Sequence, residues 1–298
     1  MASSKFELER SLLQKAVRRG NEYVVDKVFR YLLLNDNKLW LKKRLVVMGY
    51  EECWAFADKL NTNCSNYELL QQYKALSSKM KNKNADGLAG LARKLNEYEK
   101  SVLVGSEEEQ KAIQSVANAL KYPEEFWKWI QSEKYYQENK FRIERAKKDV
   151  NRKTISDDSS MMFAAAYLAA KYPIPETNSV DLDNEKDFPY WIAVDKHTSV
   201  GREAYIEACN SIDLMPMRGM HLGFYLEGSV CNEVVQSPFW DYMVNWYLNH
   251  IGFTREEAKN KWEELKSILI ELTKNDVNEM LERINNLTIE SNQVELFE

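Results

Sequence analysis

The run Asp195-Lys196-His197-Thr198, followed by Gly201-Arg202, contains the side chains of this sequence best suited to chemistry. Histidine titrates near neutral pH, and Asp195 is close enough to orient His197 as a general acid or base. Arg202 could bind a carboxylate or a phosphate through its forked guanidinium group. The run is therefore compatible with an enzyme acting on a nucleotide or nucleic acid, with Asp195, His197 and Arg202 as candidate catalytic residues.

The same run can instead be a structural helix start. Thr198 would then cap the following helix, and Asp195, His197 and Arg202 would satisfy one another across a tight turn. In either case we expect these side chains at a helix N-terminus beside the segment around His221, where backbone amides favour anions. The sequence predicts no metal site, because it has three histidines and none lies four residues from another. It predicts no cofactor either.

The common nucleotide-binding loops are absent from the sequence. A P-loop needs the pattern GxxxxGK[ST], because consecutive backbone amides and one lysine must surround the phosphates. The chain contains neither Gly-Lys-Ser nor Gly-Lys-Thr, and GxGxxG is missing as well. We therefore predict that the chain does not hydrolyse ATP by itself.

Long stretches without glycine or proline predict that helices position these residues, since the chain has 10 Gly and 6 Pro in 298 residues. Apolar spacing marks helical segments at 6–34 (broken at Gly20-Asn21), 38–60, 67–82, 86–100, 123–150, 158–172, 198–210 and 238–250. Capping boxes at Ser106–Glu109 and Thr254–Glu257 predict two further helix starts. No strand-rich region occurs, so the predicted fold class is all-α, a multi-helix bundle or array.

Residue composition along the chain predicts how it divides into subdomains and in which cellular compartment it lies. The proline- and aspartate-rich stretch 173–190 predicts a crossing between two helical subdomains, 1–172 and 173–284, followed by a flexible tail, 285–298. Four widely spaced cysteines make a disulfide framework or a zinc site unfavourable. There is no apolar run of eighteen residues and no signal peptide, which predicts a cytoplasmic protein without a membrane partner.

Charge is unevenly distributed along a chain whose net charge is −5. Residues 1–50 carry eleven Lys and Arg against five Asp and Glu, whereas residues 254–298 carry six against eleven. A local basic patch can contact phosphates although the whole protein is acidic, but solvated helix faces give the same pattern. Arg44 and Glu51, seven residues apart on one helix face, can form an ion pair or bind a partner. The candidate phosphate- or DNA-binding residues are Arg18, Arg19, Lys42, Lys43, Arg44 and Arg202.

The segment Gln293-Val294-Glu295-Leu296-Phe297 follows the last helical segment. At a frayed chain end its two large apolar residues would add little to folding, whereas an extended peptide can insert alternate side chains into a partner. The segment resembles the pentapeptide by which bacterial replication and repair proteins bind the DNA sliding clamp. The resemblance implies that Gln293 bonds at the groove mouth and that Leu296 and Phe297 fill a pocket; Val294 departs from the usual Leu. Alternatively, the tail folds back and buries Phe297.

A second resemblance lies in the first fifty residues. Residues 13–20 (LQKAVRRG) begin a helix pair that leads to residues 41–53 (LKKRLVVMGYEEC). This region is similar to the helical collar that follows the ATPase module in clamp-loader-like ATPases of the RarA/MgsA type, although Glu52 replaces the usual Asp. The runs 195–202 and 220–228 resemble segments of helical proteins allied to the same group. The resemblance implies a collar-like domain that lacks the ATPase module.

The two resemblances come from opposite ends of the chain and point to one process. We therefore predict an all-α accessory protein of bacterial or phage DNA replication or repair. It would bind the sliding clamp through its tail and contact DNA or a replicative ATPase through its helical body. A homo-oligomer is compatible with the sequence. The alternatives are the enzyme considered above and a structural interaction protein.

Overall fold

The computed structural model describes residues 5–151, 158–179, 188–231 and 234–291, with side chains of the last helix up to residue 286. Within these residues the fold is all-α, as predicted, and extended pairing is limited to isolated bridges. In the same residues, no helix is both long and apolar enough to cross a membrane. The helices are α1 (Glu7–Arg18), α2 (Glu22–Leu34), α3 (Lys38–Cys53), α4 (Asn66–Ser77), α5 (Asn84–Asn96), α6 (Glu107–Lys121), α7 (Pro123–Trp129), α8 (Tyr136–Val150), α9 (Ser159–Lys171), α10 (Ser199–Ser211), α11 (Pro216–Gly223), α12 (Pro238–His250) and α13 (Arg255–Ser291).

Local signals set most helix ends. Gly20 adopts a φ of 72°, which ends α1 at the predicted break. Ser106 with Glu109 and Thr254 with Glu257 form the two predicted capping boxes, each with paired hydrogen bonds of 2.7–3.3 Å. These caps satisfy backbone amides that the first helical turn leaves without partners.

Helix α4 ends earlier than the predicted segment 67–82. It stops at Ser77 because the buried ammonium of Lys81 turns back and donates hydrogen bonds to the carbonyl oxygens of Leu76, Ser77 and Lys79, at 2.6–3.1 Å. A cation at this place satisfies the free carbonyl groups of the last turn and interacts favourably with the helix dipole. The irregular stretch that follows brings Lys83 into the interior, where only 1% of its surface is exposed.

Two hydrophobic clusters form the interior. The larger cluster is built by α5, α6, α8, α9, α10 and α12, and the alanine-rich α9 packs closely on α5 and α8. The smaller cluster joins α1 to α4 with the segment 188–194. The 37-residue helix α13 contacts the larger cluster through Leu265 and Leu269 and the smaller one through Met280 and Ile284. Each cluster thus contains residues from both sides of residue 172, and the predicted division there stays a prediction.

The segment between α11 and α12 contains an unexpected element. Helix α11 continues directly into a π-helical turn at Phe224–Gly228. The run 220–228 was noted above for its resemblance to helical proteins, but no helix was predicted there. Such turns are rare and occur frequently at functional sites, because the extra residue redirects the side chains around it. Here the turn directs Phe224 and Tyr225 toward a cavity.

Candidate functional site

A cavity of about 510 Å³ lies where the first residues of the chain meet its second half. Its walls come from α1, α3, α5, α12, the turn that precedes α10 and the π-helical turn. The volume falls in the range of about 300–1,000 Å³ that small-molecule sites occupy. Six cationic side chains line it, namely Arg10, Lys15, Arg18, Arg44, Arg93 and Lys196, together with the acidic side chains Glu7, Glu51, Asp86, Asp158 and Asp195.

Arg18 is the centre of an ion-pair network in the cavity wall. Its side chain is 3% exposed, and its Nη2 and Nε lie 2.7 Å from Glu51 and 2.6 Å from Glu52. Arg44 pairs with the other oxygen of Glu51 at 2.7 Å, which confirms the predicted Arg44–Glu51 contact. Burial alone would raise the pKa of Glu51, but the guanidinium groups of Arg44 and Arg18 lower it to about 2. The network therefore holds Glu51 ionised throughout the neutral range.

The network continues from Glu52 to the aromatic side of the cavity. Lys83 Nζ lies 3.4 Å from Glu52 and 3.1 Å from Asp86, and 4.3 Å from the ring centroid of Trp240 on α12. Burial would lower the pKa of Lys83, but the two carboxylates raise it above its ordinary value. These contacts fix α3, α5 and α12 relative to one another.

Asp195 fixes the turn before α10 through contacts in the protein interior. Its carboxylate is buried, forms an ion pair with Lys15, and accepts a hydrogen bond from the backbone amide of His197 at 2.8 Å. Burial would raise the pKa of Asp195, but Lys15 keeps it below its ordinary value. Thr198 Oγ1 accepts a hydrogen bond from the amide of Gly201 at 3.0 Å, which confirms the predicted cap of α10.

The three predicted catalytic candidates do not form one cluster. His197 lines the cavity and its ring meets Phe224 edge-on at 5.9 Å. Arg202 is exposed, and its guanidinium donates a hydrogen bond to the carbonyl oxygen of Lys196 at 3.4 Å. The carboxylate of Asp195 is held by Lys15 instead of Arg202. Of the predicted contacts among these three residues, the structure contains the hydrogen bond between the Asp195 carboxylate and the His197 backbone amide. Arg202 takes no part in it.

His221 lies on the neighbouring helix α11, among aromatic rings. It stacks on Tyr247 at 5.6 Å and on Tyr225 at 6.2 Å between ring centroids. Burial lowers the pKa of His221 to about 4, and the charge of Lys196 acts in the same direction. The ring is therefore neutral at pH 7 and extends an aromatic wall.

Lys196 is the cavity residue that sequence reasoning passed over. Its ammonium lies 4.1 Å from the ring centroid of Phe224 and 5.8 Å from that of Tyr225. Burial lowers the pKa of Lys196 to about 8; the charge of Asp195 opposes this shift, and that of Lys15 adds to it. In the part of the chain that the structure describes, no carboxylate lies within 4.0 Å of this ammonium. The only sequence signal was its place between Asp195 and His197.

The remaining basic candidates divide into two groups. Arg18 and Arg19 belong to the first group, because both are held in ion pairs. Arg18 is part of the network described above. Arg19 pairs with Glu227 at 2.6 Å, and Lys266 lies 3.1 Å from the same carboxylate. Lys42 and Lys43 are partly exposed on α3. The two lysines therefore keep their charge at the surface, where a phosphate backbone could reach them.

The predicted clamp-binding residues, Gln293, Val294, Leu296 and Phe297, lie outside the described residues. Helix α13 carries the chain toward them and is held against the body by Met280 and Ile284, which are 0% and 2% exposed. Arg283 adds an ion pair to the buried Glu9 of α1 at 3.0 Å. The next two side chains, 285 and 286, are exposed. Ile284 is therefore the last buried residue of α13 among the described side chains.

Comparison with known proteins adds no relative: no family model matches, and no curated protein or solved structure is significantly similar to the chain. Among the described residues, no group of three or more His, Cys, Asp or Glu side chains is placed to hold a metal ion. The contacts above are therefore the basis for any assignment of function.

Proposed function

We propose that this protein is an accessory protein of DNA replication or repair that binds the sliding clamp through residues Gln293–Phe297. The observation that carries the proposal is the match of this pentapeptide to the clamp-binding pattern, two residues after the end of a helix anchored to the body. The helical body would serve as a scaffold that contacts DNA or a replicative ATPase. Lys42 and Lys43 on α3 are the residues we assign to DNA phosphates.

The course of α13 supports presentation of this segment to a partner. From Ile284 to Ser291 the helix rises about 10 Å, at 1.5 Å per residue. Among the described side chains of α13, the last buried one is Ile284, at the start of this rise. An extended peptide that follows such a helix can insert alternate side chains into a partner groove.

Leu296 and Phe297 would supply most of the affinity. Burying one large apolar side chain is worth about 1.5–3 kcal/mol, and interface energy is usually concentrated in a few such residues. Losing both side chains should therefore weaken binding by about 100-fold or more, since 1.4 kcal/mol corresponds to a factor of ten. The free energy of unfolding should hardly change, because a frayed chain end adds little to folding.

Calorimetric titration of the full chain into a purified bacterial sliding clamp tests the proposal. We expect saturable binding by the wild type and loss of about 100-fold or more in affinity for the Leu296→Ala, Phe297→Ala variant. A matched control changes the same residue types on the body, Leu39→Ala with Phe141→Ala, which are 65% and 72% exposed. The control should bind as the wild type does. Equal binding by both double variants, or no binding by the wild type, would refute the proposal.

The enzyme alternative has less support from the geometry. The carboxylate of Asp195 is paired with Lys15 in the interior, so it is not placed to orient the His197 ring. Arg202 lies outside the cavity lining. No observation assigns a reacting atom to these residues, and we do not propose catalysis.

A further inference from the structure

The charged cavity has no part in clamp binding, and its lining suggests a ligand of its own. Of its cations, Lys15, Arg18 and Arg44 are each paired with a carboxylate of the same wall. On the acidic side, Asp86 is paired with Lys83, and Glu7 accepts hydrogen bonds from the backbone amide and hydroxyl of Ser199 at 2.7 and 2.9 Å. Three of the five acidic side chains of the lining, Glu51, Asp86 and Asp195, are therefore already paired with cations.

Of the other three cations of the lining, Arg10 donates hydrogen bonds to the side-chain oxygen of Asn37 at 2.6 and 3.0 Å, whereas Lys196 and Arg93 differ from all of these. Within the described residues, neither Lys196 nor Arg93 has a carboxylate oxygen within 4.0 Å. Lys196 is partly buried, and an ammonium in such a place is unfavourable unless an anion accompanies it. The cavity therefore has an unbalanced positive region beside the π-helical turn, which an anionic group of a ligand would neutralise.

Flat aromatic surfaces adjoin this positive region. Tyr225 and Tyr247 stack with their ring centroids 4.9 Å apart and their planes inclined by 28°. Phe224 and Trp240 also line the cavity, and each carries a lysine ammonium over its face. An inorganic anion would gain nothing from such a wall, and an apolar ligand would gain nothing from Lys196. A ligand with a flat ring and a negative group uses both.

We propose that this cavity binds a nucleotide, with Lys196 at its phosphate and the aromatic side chains of the π-helical turn and α12 against its base. Aromatic faces combined with cations are the means by which proteins hold bases and phosphates without a P-loop. The nucleotide can be free, or it can be the phosphorylated end of a single DNA strand, because both present the same chemistry. The cavity volume of about 510 Å³ suits one nucleotide.

Calorimetric titrations of the full chain with four probes test this inference. The probes are adenosine 5′-monophosphate, a single-stranded DNA pentamer with a 5′-phosphate, adenosine, and inorganic phosphate. We expect saturable binding of one or both phosphorylated nucleotides, and at least tenfold weaker binding of adenosine and of inorganic phosphate. The tighter of the two nucleotide probes identifies the source. Absence of binding by both nucleotides, or equally tight binding of inorganic phosphate, would overturn the inference.

The Lys196→Met variant tests the assigned residue. It should bind the preferred nucleotide at least tenfold more weakly, while its midpoint of thermal unfolding should stay the same or rise, because a buried ammonium without a carboxylate partner is removed. Lys111→Met, on the exposed face of α6, is the matched control and should bind as the wild type does. Unchanged binding by Lys196→Met would overturn the inference. The Leu296→Ala, Phe297→Ala variant should bind nucleotide normally, so failure of this inference is distinguishable from failure of the clamp proposal.

Discussion

At the scale of single residues, the structure depends on charges that neutralise one another in the interior. Glu51 receives Arg18 and Arg44 on its two oxygens, each at 2.7 Å. Removing one member of such a group leaves the others buried without compensation, which costs about 3–5 kcal/mol. Lys15 and Asp195 form a comparable pair across 180 residues of sequence. These contacts join the first helices to the second half of the chain.

Glu51→Gln should lower the free energy of unfolding by about 3 kcal/mol at pH 7, because Arg44 loses its carboxylate partner and Arg18 keeps Glu52 but loses Glu51. The effect should depend on pH. The folded-state pKa of about 2 lies below the ordinary value near 4.3. The stabilisation is therefore complete above about pH 4.3 and is lost as the pH falls toward 2. Urea unfolding at several pH values measures both effects.

The control for this measurement is Glu279→Gln on α13. That carboxyl group is 73% exposed and lies 4.0 Å from Arg283, so its loss should change the free energy of unfolding by less than about 0.5 kcal/mol. If Glu51→Gln behaved like Glu279→Gln at pH 7, the network around Arg18 would contribute nothing, and the account at this scale would be wrong.

At the scale of elements, close packing of α5 on α12 gives the cavity its aromatic wall. Gly87 on α5 faces the backbone of Phe239 and Trp240, and a Cβ atom at this position would overlap that backbone. The hydroxyl of Tyr205 similarly occupies the space beside Gly223. Glycine is needed at these places because neighbouring chain segments leave no room for a side chain.

Gly87→Ala should therefore lower the free energy of unfolding by about 1–3 kcal/mol, the usual effect of overpacking. The gain in helix propensity from alanine, about 1 kcal/mol, is outweighed because backbone atoms cannot rotate away as a side chain can. Urea unfolding gives the difference directly. Gly228→Ala is the comparison, since its nearest neighbour atom would lie at 3.5 Å, an ordinary contact. A larger loss for Gly228→Ala than for Gly87→Ala would contradict this packing argument.

Much of the helical fold is predictable from the sequence, because helix starts and stops are local. Gly20 and the capping boxes at Ser106 and Thr254 mark boundaries that the structure confirms. The end of α4 was not predictable, since it depends on a lysine folding back onto carbonyl oxygens. The π-helical turn at Phe224–Gly228 was missed for a similar reason: no local pattern distinguishes it from a loop.

The cavity was only partly predictable. Asp195 and His197 were recognised as a pair by their spacing, and both lie in its wall. The ion-pair partner of Asp195, Lys15, comes from α1, and sequence spacing carries no information about contacts over such distances. Arg202 was included because it is near in sequence, but one helical turn directs it to solvent. Proximity along the chain thus identified the turn before α10 without identifying what surrounds it.

At the scale of the whole molecule, α13 connects the hydrophobic clusters and leads to the clamp-like segment. Its contacts at Leu265, Leu269, Met280 and Ile284 fix it along most of its length. In the proposed function, a clamp bound to Gln293–Phe297 would be joined to the helical body through α13.

Amide hydrogen exchange of the full chain, with and without saturating sliding clamp, tests the central claim most directly. The account predicts slower exchange in residues 293–297 when the clamp is present, because an extended peptide bound in a groove has protected amides. It predicts no change in the amides of α1 to α12. Slower exchange confined to the helical body, with residues 293–297 unaffected at saturation, would contradict the account.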